Sequence, residues 1–144
     1  MGVKIDLRGD SGGSKAPIAE GKWDAVVTKW VKGNSSKKET PYVQPIFKIT
    51  EEAEDVDGNA YKRPVYGENF YITAAAVWRL KNFVSDAGLE LSGDEFEGET
   101  FDEIAEVLAE ELTELFKDSD FVITTELEDS WDGTKQYARV SGIQ

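Results

Sequence analysis

Lys22-Trp23-Asp24-Ala25-Val26-Val27-Thr28-Lys29-Trp30-Val31-Lys32 is the stretch on which the fold turns. Trp23, Ala25 and Val27 fall on one face, and Asp24, Val26, Thr28, Trp30 and Lys32 on the other. A period of two carried by aromatic and β-branched residues predicts a half-buried strand. A polar loop follows at residues 33–40 and holds Lys37 and Lys38. Residues 42–50 alternate again, with Val43, Pro45, Phe47 and Ile49 against Tyr42, Gln44, Ile46 and Lys48. Pro45 has no N–H for a ladder, which predicts an edge strand or a bulge there.

Working outward, Asp57-Gly58-Asn59 is a turn signal. A third strand is predicted over 65–72, with Phe70 and Ile72 on one face and Asn69 and Tyr71 on the other. Thr73 then caps a predicted helix to Ala87, striped by Val77, Leu80, Val84 and Ala87 and stopped by Gly88. Thr100 with Glu103 has the capping-box spacing and opens a second helix. In it Phe101, Ile104, Leu108, Leu112 and Leu115 oppose the acids. Two strands close the chain, 121–128 and 135–143, joined around Asp132-Gly133. Three strands, two helices and two strands give a mainly β protein with inserted helices. The order predicts a five-stranded OB-fold-like barrel with its helices between strands three and four. A small β-sandwich reads similarly. Residues 1–17, with Gly9, Gly12 and Gly13, read as a flexible arm carrying a short strand at 3–7. Residues 18–144 read as the domain, with an acidic helical insertion at 89–120.

Composition narrows the function. A chain of 144 residues that is 40% hydrophobic closes one core. No apolar run approaches the roughly 20 residues of a membrane span, and no secretory signal opens the sequence. Cytoplasm is the expected compartment. The chain has neither cysteine nor histidine. That removes thiolate metal sites, disulfides and the commonest general base, so no enzyme, metal or cofactor is expected. The net charge of −13 is unevenly spread. Residues 89–120 carry thirteen acids and one lysine, whereas residues 1–48 carry nine Lys or Arg against five acids. The body is nearly neutral and basic at one end.

Several motifs carry a resemblance. They are Glu20-Gly21-Lys22-Trp23-Asp24-Ala25-Val26, Tyr42-Val43-Gln44-Pro45-Ile46-Phe47-Lys48-Ile49, Ala76-Val77-Trp78-Arg79-Leu80-Lys81-Asn82-Phe83 and Asp132-Gly133-Thr134-Lys135. With them the chain resembles a family of small bacteriophage proteins from replication and recombination gene regions. Some members are single-stranded DNA-binding proteins. The resemblance implies that activity here, with phage or host replication and recombination proteins as further partners.

Single-strand binding needs cations for phosphates and flat side chains for bases. The strand faces opposite the presumed core offer Trp30, Lys32, Tyr42, Lys48, Tyr71, Tyr137 and Arg139, with Lys37 and Lys38 in the first hairpin loop. Aromatic residues are also favoured on strands for packing alone. Trp23 and Trp78 are expected in the core, and Trp131 either in the groove or over the hairpin. Glu106, Glu110 and Glu114 share a helix face and suggest a protein-interaction surface or a DNA mimic, or else only a solvated face. A virion structural accessory and a homo-oligomer are further options. Asp55 and Asp57 lack the spacing of a calcium loop.

Overall fold

In the computed structural model, residues 16–91, 100–129, 133 and 136–144 are described. The expected arm, all but Ala16 and Pro17, and Trp131 lie outside them, as do residues 92–99 of the acidic insertion. The chain runs β1 (Gly21–Asn34), β2 (Pro41–Ile49), β3 (Val65–Tyr66), β4 (Phe70–Tyr71), α1 (Val77–Asp86), α2 (Phe101–Phe116), β5 (Phe121–Asp129) and β6 (Gln136–Ile143). All six strands form one antiparallel sheet in the order β3-β2-β1-β5-β6, with β4 also paired to β2. In the chain the helices lie between β4 and β5, ahead of the last two strands, as expected.

The sheet is not closed into a barrel, which corrects the expectation of closure. Among the described residues no backbone ladder joins β6 to β3 or β4. Side chains span that gap instead. Glu68, between β3 and β4, meets Arg79 of α1 at 2.8 Å and Arg139 of β6 at 3.5 Å.

Pro45 explains why the third strand is broken in two. It lies inside the sheet, not at an edge, opposite Trp30 of β1. Its carbonyl accepts from Gly67 N at 2.9 Å, so its missing N–H faces the same side. The ladder to β3 covers Ile46 and Phe47 and that to β4 covers Tyr42 and Val43, with Pro45 at the interruption. The chain passes so close there that a β-carbon on Gly67 would stand 2.6 Å from Pro45 Cγ.

The decisive irregularity is in β1. Its register against β2 shifts between Val27 and Lys29. One extra residue reverses which face every later side chain takes. Ala25 and Val27 point inward as expected, but so does Trp30, which is only 4% exposed. The expectation that Trp30 faces outward is therefore wrong. The bulge is held by two hydroxyls. Thr28 Oγ1 donates to Ile46 O at 3.1 Å, and Trp30 N donates to Thr113 Oγ1 of α2 at 2.9 Å.

Trp30 is the centre of the core. Its ring lies 5.2 Å from Phe116, 5.7 Å from Phe83 and 6.0 Å from Phe70, the first two edge to face. Such ring pairs add about 0.5–1.5 kcal/mol each beyond buried area. Its indole Nε1 is buried and has no hydrogen-bond partner among the described residues. Helix α2 lays Ala105, Leu108, Ala109, Leu112 and Phe116 against the inner face, whereas Phe101, expected on that stripe, is exposed at the first turn. Thr100 Oγ1 accepts from Glu103 N at 3.2 Å, the expected cap. Thr73 Oγ1 accepts from Ala76 N at 3.1 Å and so holds a turn before α1, which itself starts at Val77.

Trp23 is half-buried against the core, and its Nε1 donates to Thr125 Oγ1 at 3.0 Å. Trp78 corrects the other core assignment, being 57% exposed. The predicted stripe of α1 runs through Val77, Leu80 and Val84. At 100° per residue, Trp78 points away from it.

Candidate nucleic-acid interface

The outer face of the sheet is built by register. In an antiparallel pair, residues directly opposite share a face. Ile46 stands opposite Lys29 on one side and Tyr66 on the other. Tyr42 stands opposite Gly33 and Tyr71, and Lys48 opposite Val26. The side chains of Phe47, Val43, Val65 and Phe70 take the inner face and are buried. Alternation along β2 thus puts Tyr42, Gln44, Ile46 and Lys48 in one outward row.

At one end of this row lies a groove of about 620 Å³. Lys29, Lys48, Lys62 and Arg63 line it with Ile46, Tyr61 and Tyr66. The ammonium groups of Lys29, Lys48 and Lys62 have no ion pair among the described residues. Arg63 lies 5.0 Å from the centre of the Tyr61 ring and donates to the carbonyl of Ala16, and it has no ion pair among the described residues. Tyr66 is 57% exposed. Burial raises the Tyr61 phenol above its ordinary value, against the nearby Arg63, so the ring stays neutral. Its hydroxyl donates to Pro64 O at 3.0 Å. Glu51 is the acid at the rim, and its carboxylate accepts from Asp24 N at 2.6 Å.

At the other end, Tyr42 and Tyr71 meet edge to face with ring centres 5.8 Å apart. Both rings are half-exposed. The β1–β2 loop beside them presents Lys37 and Lys38, both exposed. A small network shapes this loop. Asn34 Nδ2 donates to Glu39 O at 3.0 Å and to Asp102 Oδ1 at 2.8 Å, and Ser35 Oγ accepts from Thr40 N.

The sequence-derived set therefore divides. Tyr42, Lys48 and Tyr71 belong to one face, and Lys37 and Lys38 stand exposed in the loop that leads into β2. Trp30 is in the core, and Lys32, turned inward by the same bulge, pairs with Asp102 at 2.7 Å. The hydrogen bonds from Lys32 and then Asn34 hold the Asp102 carboxyl below its ordinary value. Tyr137 and Arg139 lie on β6. Tyr137 donates to Glu128 at 3.0 Å, a bond that raises its phenol pKa, and Arg139 is shared by Glu68 and Glu128. Neither offers an unpaired cation or a free phenol.

Lys29, Tyr61, Lys62, Arg63 and Tyr66 were not in that set. Tyr66 alternates with Val65 and was legible on that ground. Lys29 was hidden by the bulge.

Glu106, Glu110 and Glu114 are exposed on α2, whose other side packs on the inner face. Glu114 pairs with Lys117 at 2.9 Å. Asp55 is buried, and its Oδ1 accepts from Asp57 N and Asn59 N, a turn-forming role. Among the described residues, no group of three or more acids is placed to hold a metal ion. No helix is long and apolar enough to cross a membrane. Compared with protein-family models and with curated proteins, the chain matches none.

Proposed function

We propose that this protein binds single-stranded DNA along the outer face of β1, β2, β3 and β4. The carrying observation is the coincidence, in one groove, of Lys29, Lys48 and Lys62 without ion pairs and the exposed ring of Tyr66. Phosphates would meet the cations and bases would stack on the rings, a combination with little dependence on sequence. The order β3-β2-β1-β5-β6 supports reading the open sheet as OB-like, and on that reading the proposed face is the one such folds use. The motif resemblance to phage replication and recombination proteins supports the same reading. On it, the protein works in a host cytoplasm, with replication or recombination proteins as further partners.

The test is calorimetric titration of the whole protein with an eight-nucleotide thymidine strand at several salt concentrations. Binding at micromolar protein in low salt is expected, with log K falling against log salt at about −0.7 per neutralised phosphate. Lys48→Glu and Lys62→Glu weaken it. No heat of binding in low salt, or equal affinity for a duplex, would overturn the reading.

A second reading rests on α2. Glu106 and Glu110 stand exposed with no cation partner among the described residues. They would face a basic protein, as an interaction module or a DNA mimic. Neutralising both would then abolish partner capture without weakening oligonucleotide binding.

A further inference from the structure

We infer that the face is a two-station site whose smallest full-affinity ligand is a single strand of about four nucleotides; this rests on the function proposed above. The first station is the Tyr66 ring with Lys29, Lys48 and Lys62 around it. The second is the Tyr42–Tyr71 pair with Lys37 and Lys38 in the adjoining loop. Tyr66 stands opposite Ile46 and Tyr71 opposite Tyr42, so the stations are separated by four residues of β2. At a strand rise of ~3.3 Å per residue, that is ~13 Å. A strand stacked at ~3.4 Å per base needs about four steps, hence about five nucleotides, to cover it, and a strand stretched to twice that rise about two steps, hence about three nucleotides.

Among the described residues of the β2 row, no aromatic ring lies between the stations. Gln44 occupies the middle of the row, and its amide nitrogen donates to Gly67 O at 2.9 Å. A mononucleotide therefore reaches one station only, whatever its orientation. Both stations carry lysines without an ion pair among the described residues, so a strand bridging them gains stacking and phosphate contacts at each end.

The experiment is a calorimetric length series: thymidine monophosphate, then thymidine strands of two, four, six and eight nucleotides, at fixed low salt. The expected result is a jump of tenfold or more between two and six nucleotides, followed by a plateau. Tyr42→Ala and Tyr66→Ala each lower affinity for the eight-nucleotide strand about five- to hundredfold and remove the jump. Tyr42→Phe, which keeps the ring, retains it. Should Tyr42→Ala fail to fold, the loop variant Lys37→Glu/Lys38→Glu serves, since both residues are exposed. It too removes the jump. Monophosphate binding as tight as the eight-nucleotide strand would overturn the inference and make the groove a nucleotide pocket. Full affinity with no jump, or an unchanged jump in Tyr42→Ala, would also overturn it while leaving strand binding intact. No binding at any length would instead remove the proposed function itself.

Discussion

The ring of Tyr42 lies across Gly33 so closely that a β-carbon on residue 33 would stand 2.5 Å from its Cζ and Oη. The two residues face each other in the β1–β2 register, on the outer side of the sheet. Glycine is needed there for close approach, and the ring gains a fixed position against Tyr71. Gly33→Ala should push the ring off its seat without breaking the ladder. Affinity for an eight-nucleotide strand should then fall nearly as far as in Tyr42→Ala, with a stability loss of about 1 kcal/mol from the disturbed ring pair. Urea unfolding and calorimetry on the same variant check both. An unchanged affinity would mean that the ring position is immaterial to binding.

Lys32 and Lys48 are both basic strand residues, yet they should behave oppositely. Lys48 is exposed on the groove, whereas Lys32 is committed to Asp102 and Asn34 on the inner side. Lys48→Ala should lower affinity and reduce the salt slope by about 0.7, the loss of one phosphate contact. Lys32→Ala should leave the slope unchanged. Equal effects of the two variants would contradict the inward turn of Lys32.

Asp102 gives a pH dependence of definite sign. Its carboxyl is held below its ordinary value by Lys32 and Asn34. The folded state thus favours the charged form. This contribution to stability is fully present above the ordinary carboxylate range and is lost as pH falls through the lowered folded value. Urea midpoints measured from pH 7 down to pH 3 should therefore fall more for the parent protein than for Asp102→Asn. The group is solvent-exposed, so the difference is small. A larger acid-induced loss in the variant would reverse the assignment.

The contrast between Trp30 and Tyr66 shows how far the residues alone can be read. The strands, both helices, the Thr100 cap and the inward pair Phe70 and Ile72 follow from periodicity and capping. The face of Trp30 does not. Periodicity assumes an unbroken pleat, and the bulge after Val27 adds one residue that no side-chain type announces. It moves Trp30 into the core and Lys32 to Asp102, two errors from one cause, and brings Lys29, which the reading had not placed, to the groove. Tyr137 and Arg139 fail differently. Their outward orientation is legible, but their neutralisation by Glu128 and Glu68 depends on which segments the fold brings together. Lys62 and Arg63 follow a turn with no periodicity of its own. Only the packing of that segment beside β2 makes them part of a site. Trp78 was legible after all, since the helical stripe itself excludes it.

Thr125 supports the opposite end of the sheet and tests whether its buried polar contacts are needed. Its hydroxyl donates to Ala19 O at 2.8 Å and accepts from Trp23 Nε1 at 3.0 Å, and the residue is only 2% exposed. Thr125→Val keeps the shape but removes both roles. Trp23 Nε1 then retains only its longer bond to Ala19 O, at 3.2 Å. A buried group stripped of its partner costs about 1–3 kcal/mol, and here the surviving bond holds the loss to the lower part of that range. Thr125→Ser keeps the hydroxyl and loses one methyl group, a cost of about 1 kcal/mol from burial alone. The two variants thus separate hydrogen bonding from packing. Urea unfolding should show both destabilised, while the emission of Trp23 should shift in Thr125→Val and stay in place in Thr125→Ser. Strand affinity should be unaltered in both, because Thr125 faces the core and the groove lies on the other side of the sheet. A loss of affinity would show that the two faces are mechanically coupled.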